Sequence, residues 1–337
     1  MLSGRFEHEM QLEQKAIEGL EGFPPILRSY YSTSAGSQKT TKNVNLNHVK
    51  RFFTWLDEQG FDTFDKDLWT MIDVDVITAF FDSIKVRLLK DGTRKPVKYD
   101  SIKGVYFALN KFFNFLVKRK IIEESPMIDL EDLQAIVPKE KTEHKVVAMT
   151  YDEMNKVVQH IREHSLFAKR DECLFMLGCY SGLRAQALSE VDVDDFDFDH
   201  CTLEVIEKGH HERTIRLDEH MIALVKAYLA ERGEEKTTSA LFLRNSENGE
   251  GRERITAKTI EKMIRKHTQG LDKHITPHKM RVTCITNTYL ETGDIYAAAD
   301  RAGHGSVSVT TRYIDNRRKQ EKVARLMGDK MFSHIEG

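Results

Sequence analysis

Six polar side chains in the second half of the chain, Arg184, Lys208, His278, Arg281, His304 and Tyr313, have the types needed to break and remake a phosphodiester without a metal ion. Two guanidiniums offer planar paired donors that match the non-bridging oxygens of a phosphate better than an ammonium does. The imidazoles and the amine provide a base for a nucleophile and an acid for a departing oxygen, and the phenol of Tyr313 can hold the cut end covalently. A phenol has a pKa of about 10, so it needs both a base and a positive field before it attacks phosphorus. His278 follows Thr276-Pro277, which reads as a helix N-cap and a first-turn proline; the positive end of the helix dipole disfavours the imidazolium and keeps a neutral base. Arg281 falls three residues on, on the same face, so both side chains can meet one phosphate. The inventory suits cutting and rejoining of DNA.

Each residue sits in a short motif. Arg184 closes Ser181-Gly182-Leu183-Arg184; Lys208 lies in Glu207-Lys208-Gly209-His210-His211-Glu212-Arg213; His278 and Arg281 form a His-x-x-Arg; His304 follows Gly303; and Tyr313 stands nine residues beyond His304. Any one of these occurs by chance, but all of them in this order resemble the catalytic set of the tyrosine recombinases, the phage-integrase family. The resemblance is specific over residues 150–320 and general over 40–135.

It implies that Arg184 and Arg281 hold the equatorial oxygens, His278 serves as base, His304 donates to a phosphate oxygen and Lys208 protonates the leaving 5′ oxygen. Tyr313 then forms a 3′-phosphotyrosyl link that a 5′ hydroxyl from a partner strand resolves. No metal, cofactor or ATP is implied. His210 and His211 are expected to face solvent or the DNA backbone. The family usually carries an acidic residue three positions after the first Arg, often a His after the second, and a Leu before Gly-His; here these are Ala187, Val282 and Ala302. The first departure removes a carboxylate that supports the site.

At 337 residues the chain has room for two domains. Its four cysteines, Cys173, Cys179, Cys201 and Cys284, have no C-x-x-C pairing, which predicts buried thiols in a reducing cytosol and no structural zinc. No apolar run reaches the roughly 18 residues of a membrane span, and acidic side chains in the first thirty residues are unlike a signal peptide; the expectation is a cytoplasmic protein with no membrane association. A net charge of −2 is unlike a basic nucleic-acid binder, but the charge is unevenly spread. Eleven Lys/Arg lie between Lys85 and Lys120 against Asp91 and Asp100, while Glu190–Asp199 holds six acids and no base. A basic face with an acidic back reconciles the sum with DNA binding. Lys85, Arg87, Lys90, Arg94, Lys95, Lys98 and Lys103 are the candidate DNA contacts; the plainer alternative is a solvated helical surface.

Apolar spacing predicts helices through Leu46, Val49, Phe53 and Leu56, stopping at Gly60; through Ile77, Phe80, Phe81, Ile84 and Leu88; and through Ile102, Val105, Leu109, Phe112, Phe113 and Leu116. Asp91–Pro96 reads as a basic loop between helices. Thr150 and Glu153 match a capping box. Thr202–Ile206 and Arg213–Leu217 read as strands around Lys208, with Leu241–Leu243 as a third. The expected fold is mainly α with a small antiparallel β-sheet: residues 1–40 an N-terminal arm or extra helix, 41–136 a helical DNA-binding domain, 137–149 a linker, 150–320 the catalytic domain, and 321–337 a tail helix. The resemblance adds that the two domains close as a clamp on double-stranded DNA and that the tail, with Val323, Leu326 and Met327 as its apolar face, packs into a neighbouring protomer of a tetramer; docking within the chain is the alternative. Two other functions share this framework: a DNA-binding regulator without strand exchange, and a phosphotyrosyl topoisomerase.

Overall fold

The computed structural model describes residues 4–33, 39–89, 91–127, 146–207, 211–234, 238–244, 253–304, 306–311, 320 and 323–327. The chain divides into two compact units, Glu9–Glu143 and His144–Gly337, the latter with Met1–His8.

The first unit holds α1 (Gly4–Glu18) from Glu9 onward, α2 (Pro25–Thr33), α3 (Lys39–Glu58), α4 (Val74–Ile84) and α5 (Tyr99–Lys118). The heptad-like apolar positions of α3 and α5 turn inward, and their aromatics interlock edge to face: Phe52 meets Phe80 at 5.0 Å and Tyr30 meets Phe112 at 5.3 Å. These rings are fully used in packing, as their helical spacing predicts. Residues 1–40 are more than an arm: Ala16, Leu20, Leu27, Tyr30 and Tyr31 belong to the same core. Gly60, with φ of 88°, takes the left-handed conformation that ends α3.

One expected helix stops early. Leu88 continues the 3–4 rhythm of α4, but the helix ends at Ile84, and Leu88 is 68 % exposed on β1 (Val86–Leu88). The expected loop is therefore a hairpin, β1 pairing antiparallel with β2 (Arg94–Pro96). Arg87 stands opposite Lys95, and Leu88 opposite Arg94, with every strand position exposed.

The second unit begins on α6 (Tyr151–His164), whose capping box forms as read: Thr150 Oγ1 accepts from the Glu153 amide, and the Glu153 carboxylate accepts from the Thr150 amide. The helices α7 (Ala168–Ser181) and α11 (Pro277–Thr292) are buried on most sides and form the centre. Gly178 makes their approach possible, since a Cβ there would sit 2.1 Å from the Met280 methyl. Around them stand α8 (Ala185–Glu190), α9 (Glu219–Arg232), α10 (Ala257–His267), α12 (Ile295–Ala302) and the short α13 (Val307–Thr310).

The sheet is β3 (Phe196–Asp197), β4 (Thr202–Glu207) and β5 (His211–Arg216), all antiparallel, with Leu203 opposite Ile215 and Val205 opposite Arg213. The expected third strand is corrected. Leu241 and Phe242 are buried in the core, while β6 (Leu243–Arg244) pairs with β7 (Glu253–Arg254) in a separate ribbon. An apolar run signals burial but does not identify its hydrogen-bonding partner. Cys173, Cys179 and Cys284 are buried thiols, but Cys201 is only half-buried, because it occupies the turn before β4 with φ of 54°. Among the described residues no helix is long and apolar enough to cross a membrane.

Candidate functional site

Three segments of the second unit end at one place. The first is the turn after α7, where Gly182 adopts φ of 65° and Arg184 becomes the N-cap residue of α8, with its side chain exposed. A residue with a Cβ at Gly182 would be strained and would meet Cys284 Sγ at 3.2 Å, so glycine is needed both for the turn and for its closeness to α11. The second is α11 itself. Thr276 caps it by accepting from the Lys279 amide, and Pro277 opens it, placing His278 in the first turn. The third is the end of α12. There the Gly303 amide donates to the Asp300 carbonyl at 2.8 Å and the His304 amide to Ala299 at 2.9 Å, the paired bonds of a helix terminated by a left-handed glycine.

Arg281 joins the first two segments. It is only 1 % exposed, and its Nη1 donates to the Gly182 carbonyl at 2.7 Å. The guanidinium thus locks the turn that carries Arg184, a function its position in His-x-x-Arg does not reveal. His304 is fixed by Thr310, whose Oγ1 lies 2.8 Å from Nδ1. When the hydroxyl donates, the ring hydrogen of the neutral imidazole sits on Nε2, and that nitrogen becomes a donor.

The same cations act on both imidazoles. His304 is pushed down to about 4, first by burial and then by the charges of Arg281, Arg184, Arg213 and His278. His278 is lowered by burial, then by Lys279, Arg281 and Arg184. Four of the six sequence-predicted residues, Arg184, His278, Arg281 and His304, therefore share one cationic neighbourhood. Lys208 and Tyr313 lie outside the described residues, as does His210; the strands flanking Lys208 are paired up to Glu207 opposite His211. A concentration of positive charge around neutral imidazoles is suited to a dianionic transition state at phosphorus.

Both imidazoles have lower pKa values folded than unfolded, so folding favours their neutral forms. Their contribution to stability is complete above the unfolded value of about 6.5 and is lost as pH falls below it. For His304 the loss runs down to about pH 4. Ring NMR of the free protein is expected to show His304 neutral at pH 6, and the urea midpoint is expected to drop between pH 6.5 and 4 less steeply in His304→Gln. A ring titrating near pH 6.5 would contradict the burial.

Residues not singled out by type are also part of the site. Thr310 orients His304, and Arg213 reaches the end of α12. The available signals were the Thr before the Tyr motif and the Arg following the Lys hairpin. Beside Ala187 lies a cleft of about 340 Å³ bordered by Glu190, Asp192, Asp195, Glu204 and Glu212. The acidic stretch is thus not a remote back of this unit: it borders Ala187, and Asp192 is paired with Arg254 at 2.5 Å.

In the other unit, the basic candidates cluster on and beside the β1–β2 hairpin. Arg87, Arg94, Lys95 and Lys98 are exposed, Lys85 is paired with Asp82 at 2.6 Å, Lys103 lies over the Tyr99 and Phe107 rings, and Lys90 is outside the described residues. Like charges directly opposite, such as Arg87 and Lys95, destabilise a hairpin unless an anion relieves them.

The phage integrase family profile matches residues 148–320, just over half of the chain. The tyrosine recombinase XerC of Caldanaerobacter subterraneus subsp. tengcongensis is 28 % identical over 344 residues, covering 95 % of this chain and 91 % of that one. XerC of Chlamydia pneumoniae is 30 % identical over 233 residues, covering 67 % and 70 %. Among solved structures, the XerH site-specific recombinase bound to difH substrate in a pre-cleavage complex superposes with a TM-score of 0.62 at 17 % identity, covering 85 % of this chain and 80 % of that one. The motif order, the fold and the matched span agree: the chain belongs to the phage integrase family of tyrosine recombinases.

Proposed function

We propose that the protein is a site-specific DNA recombinase that cuts and rejoins double-stranded DNA through a 3′-phosphotyrosyl intermediate. The observation that carries this reading is the convergence of Arg184, His278, Arg281 and His304 around the Gly182 turn, in a chain of this family. Arg184 and Arg281 bind the scissile phosphate; His278, held neutral at the helix start, takes the phenolic proton of Tyr313; His304 donates to a phosphate oxygen; Lys208 gives a proton to the 5′ oxygen as the P–O bond breaks. A 5′ hydroxyl then attacks the phosphotyrosine, and the tyrosine leaves with a proton returned. Each bond broken is matched by one formed, so the reaction needs no external energy source.

The hairpin cations Arg87, Arg94 and Lys95, with Lys85, Lys90, Lys98 and Lys103, contact the DNA backbone. Affinity should then fall steeply with salt. The helical residues 323–327 leave Val323, Leu326 and Met327 exposed, which fits assembly of several copies on DNA. The work of such an enzyme places it with the DNA of the cell, in the cytoplasm.

The test starts from a duplex site selected out of a random pool by binding. With a nick beside the scissile phosphate, the protein is expected to trap a covalent complex that blocks a 3′ exonuclease and leaves a 5′ hydroxyl open to kinase, and to exchange strands between two such sites. Complex with relaxation but no exchange points to a topoisomerase. Binding without a complex points to a regulator.

A further inference from the structure

The end of α12, where His304 emerges, is held by a reciprocal pair of arginines. Arg213 on β5 donates from Nη1 to the carbonyls of Arg301 at 2.6 Å and Asp300 at 3.3 Å. Both carbonyls lie in the last turn, at the negative end of the helix, and that of Asp300 also accepts from the Gly303 amide, so a guanidinium there adds a second hold on the turn and neutralises its end. Arg301 reaches back the other way. Its Nη1 donates to the Arg216 carbonyl at 3.0 Å, its Nε to the Tyr180 carbonyl at 3.0 Å, and its guanidinium lies 4.2 Å over the Tyr180 ring. Cys284 of α11 donates from Sγ to the same Tyr180 carbonyl at 3.2 Å.

Each arginine therefore holds the main chain at or beside the other's segment. The three segments tied together are the last turn of α7, which leads to Arg184; strand β5, which follows the Lys208 hairpin; and the end of α12, which leads to His304 and on toward Tyr313. These bonds are made to backbone, so they fix segment positions and not merely side-chain directions. We propose that Arg213 and Arg301 are positioning residues, a two-way clasp that sets the spacing between the Arg184 turn, the Lys208 hairpin and the His304 turn for catalysis.

Neither arginine is assigned a contact with substrate; both act through the groups they hold. Displacing a reacting group by about 1 Å costs on the order of 100-fold in rate, and loss of the clasp frees three segments at once. Arg213 has a second effect, because its charge is one of those that lower His304, together with Arg281 and Arg184.

The inference rests on the recombinase reading for its kinetic readout, so the experiment has two arms. In the first, single-turnover cleavage of the nicked site is measured for Arg301→Met, Arg301→Lys, Arg213→Met and Arg213→Lys. The Met variants are expected to bind DNA within about twofold of the parent and reach the same cleavage amplitude, but at a rate lowered roughly 10- to 100-fold. Arg213→Lys keeps one cap and the charge and should recover part of the rate. Arg301→Lys, which cannot bridge two carbonyls and lie flat on Tyr180, should recover little. The double Met variant should lose little more than the worse single one, because both remove one clasp. A purely structural role would lower amplitude and folded fraction and leave the rate constant alone, and that result overturns the proposal, as does a parental rate in Arg301→Met.

The second arm needs no cleavage. His304 ring NMR in the free protein is expected to show an upward-shifted titration in Arg213→Met and a parental one in Arg213→Lys, with the His304 signals of Arg301→Met broadened. If the parent forms no covalent complex, the recombinase reading fails; the clasp still stands or falls on whether these signals move.

Discussion

Tyr313→Phe, which removes a single oxygen, is expected to abolish the covalent DNA complex while leaving affinity for the site within about twofold. Loss of a nucleophile that forms the intermediate typically costs about 10⁴-fold or more in rate, so the complex should vanish from a gel and not merely form slowly. Binding is expected to survive because, in the proposed mechanism, affinity comes mainly from phosphate contacts by the hairpin and by Arg184 and Arg281, none of which the substitution removes. The control is Tyr296→Phe: that ring is 72 % exposed at the start of α12, so it is accessible, yet its spacing from Gly303-His304 does not fit the motif. A covalent complex that persists in Tyr313→Phe and disappears in Tyr296→Phe would transfer the nucleophile to the wrong side of His304 and remove the basis for the proposed mechanism.

The sequence was most informative where local chemistry and function coincide. The Thr150/Glu153 box and the Thr276-Pro277 start are short-range signals, and each forms where it was read; the motif glycines Gly182 and Gly303 prove to be left-handed turns. Because those caps and turns also deliver Arg184, His278 and His304, the site was legible along with them. What sequence could not show was action at a distance through main-chain carbonyls. Arg213 caps residues almost ninety positions away, and Arg301 reaches back to Tyr180; nothing in the charge of an arginine names the carbonyl it will find. Leu88 shows the opposite failure. It keeps the helical rhythm of α4 by chance, and the Arg87/Lys95 hairpin that replaces the helix is an exposed element with no apolar alternation to betray it. Likewise the net charge of −2 argued against DNA, although acids such as Asp192 are consumed in pairs within the fold.

Arg281→Lys should separate the two tasks that this fold combines in one side chain. The buried guanidinium holds the Gly182 carbonyl and, in the proposed mechanism, a phosphate oxygen. An ammonium is a point donor on a differently shaped stem and cannot serve both in one plane. Cleavage is therefore expected to fall about 10²- to 10³-fold, the scale of losing one charge-stabilising donor in a transition state. Stability should fall as well, by about 2 kcal/mol, because a charge-assisted hydrogen bond in the interior is weakened or left unmade. Arg184→Lys is the informative partner. Its side chain is exposed at the start of α8, so its replacement should cost a comparable factor in cleavage with almost no change in urea midpoint. If the two variants instead lose stability equally, the Arg281–Gly182 bond is not what fixes the turn. If Arg281→Lys cleaves like the parent, Arg281 binds the turn alone and the phosphate must be held by Arg184 without it. The expected pattern, equal chemical loss with unequal stability loss, follows only if one arginine is anchored in the core to present its neighbour while the other faces the DNA.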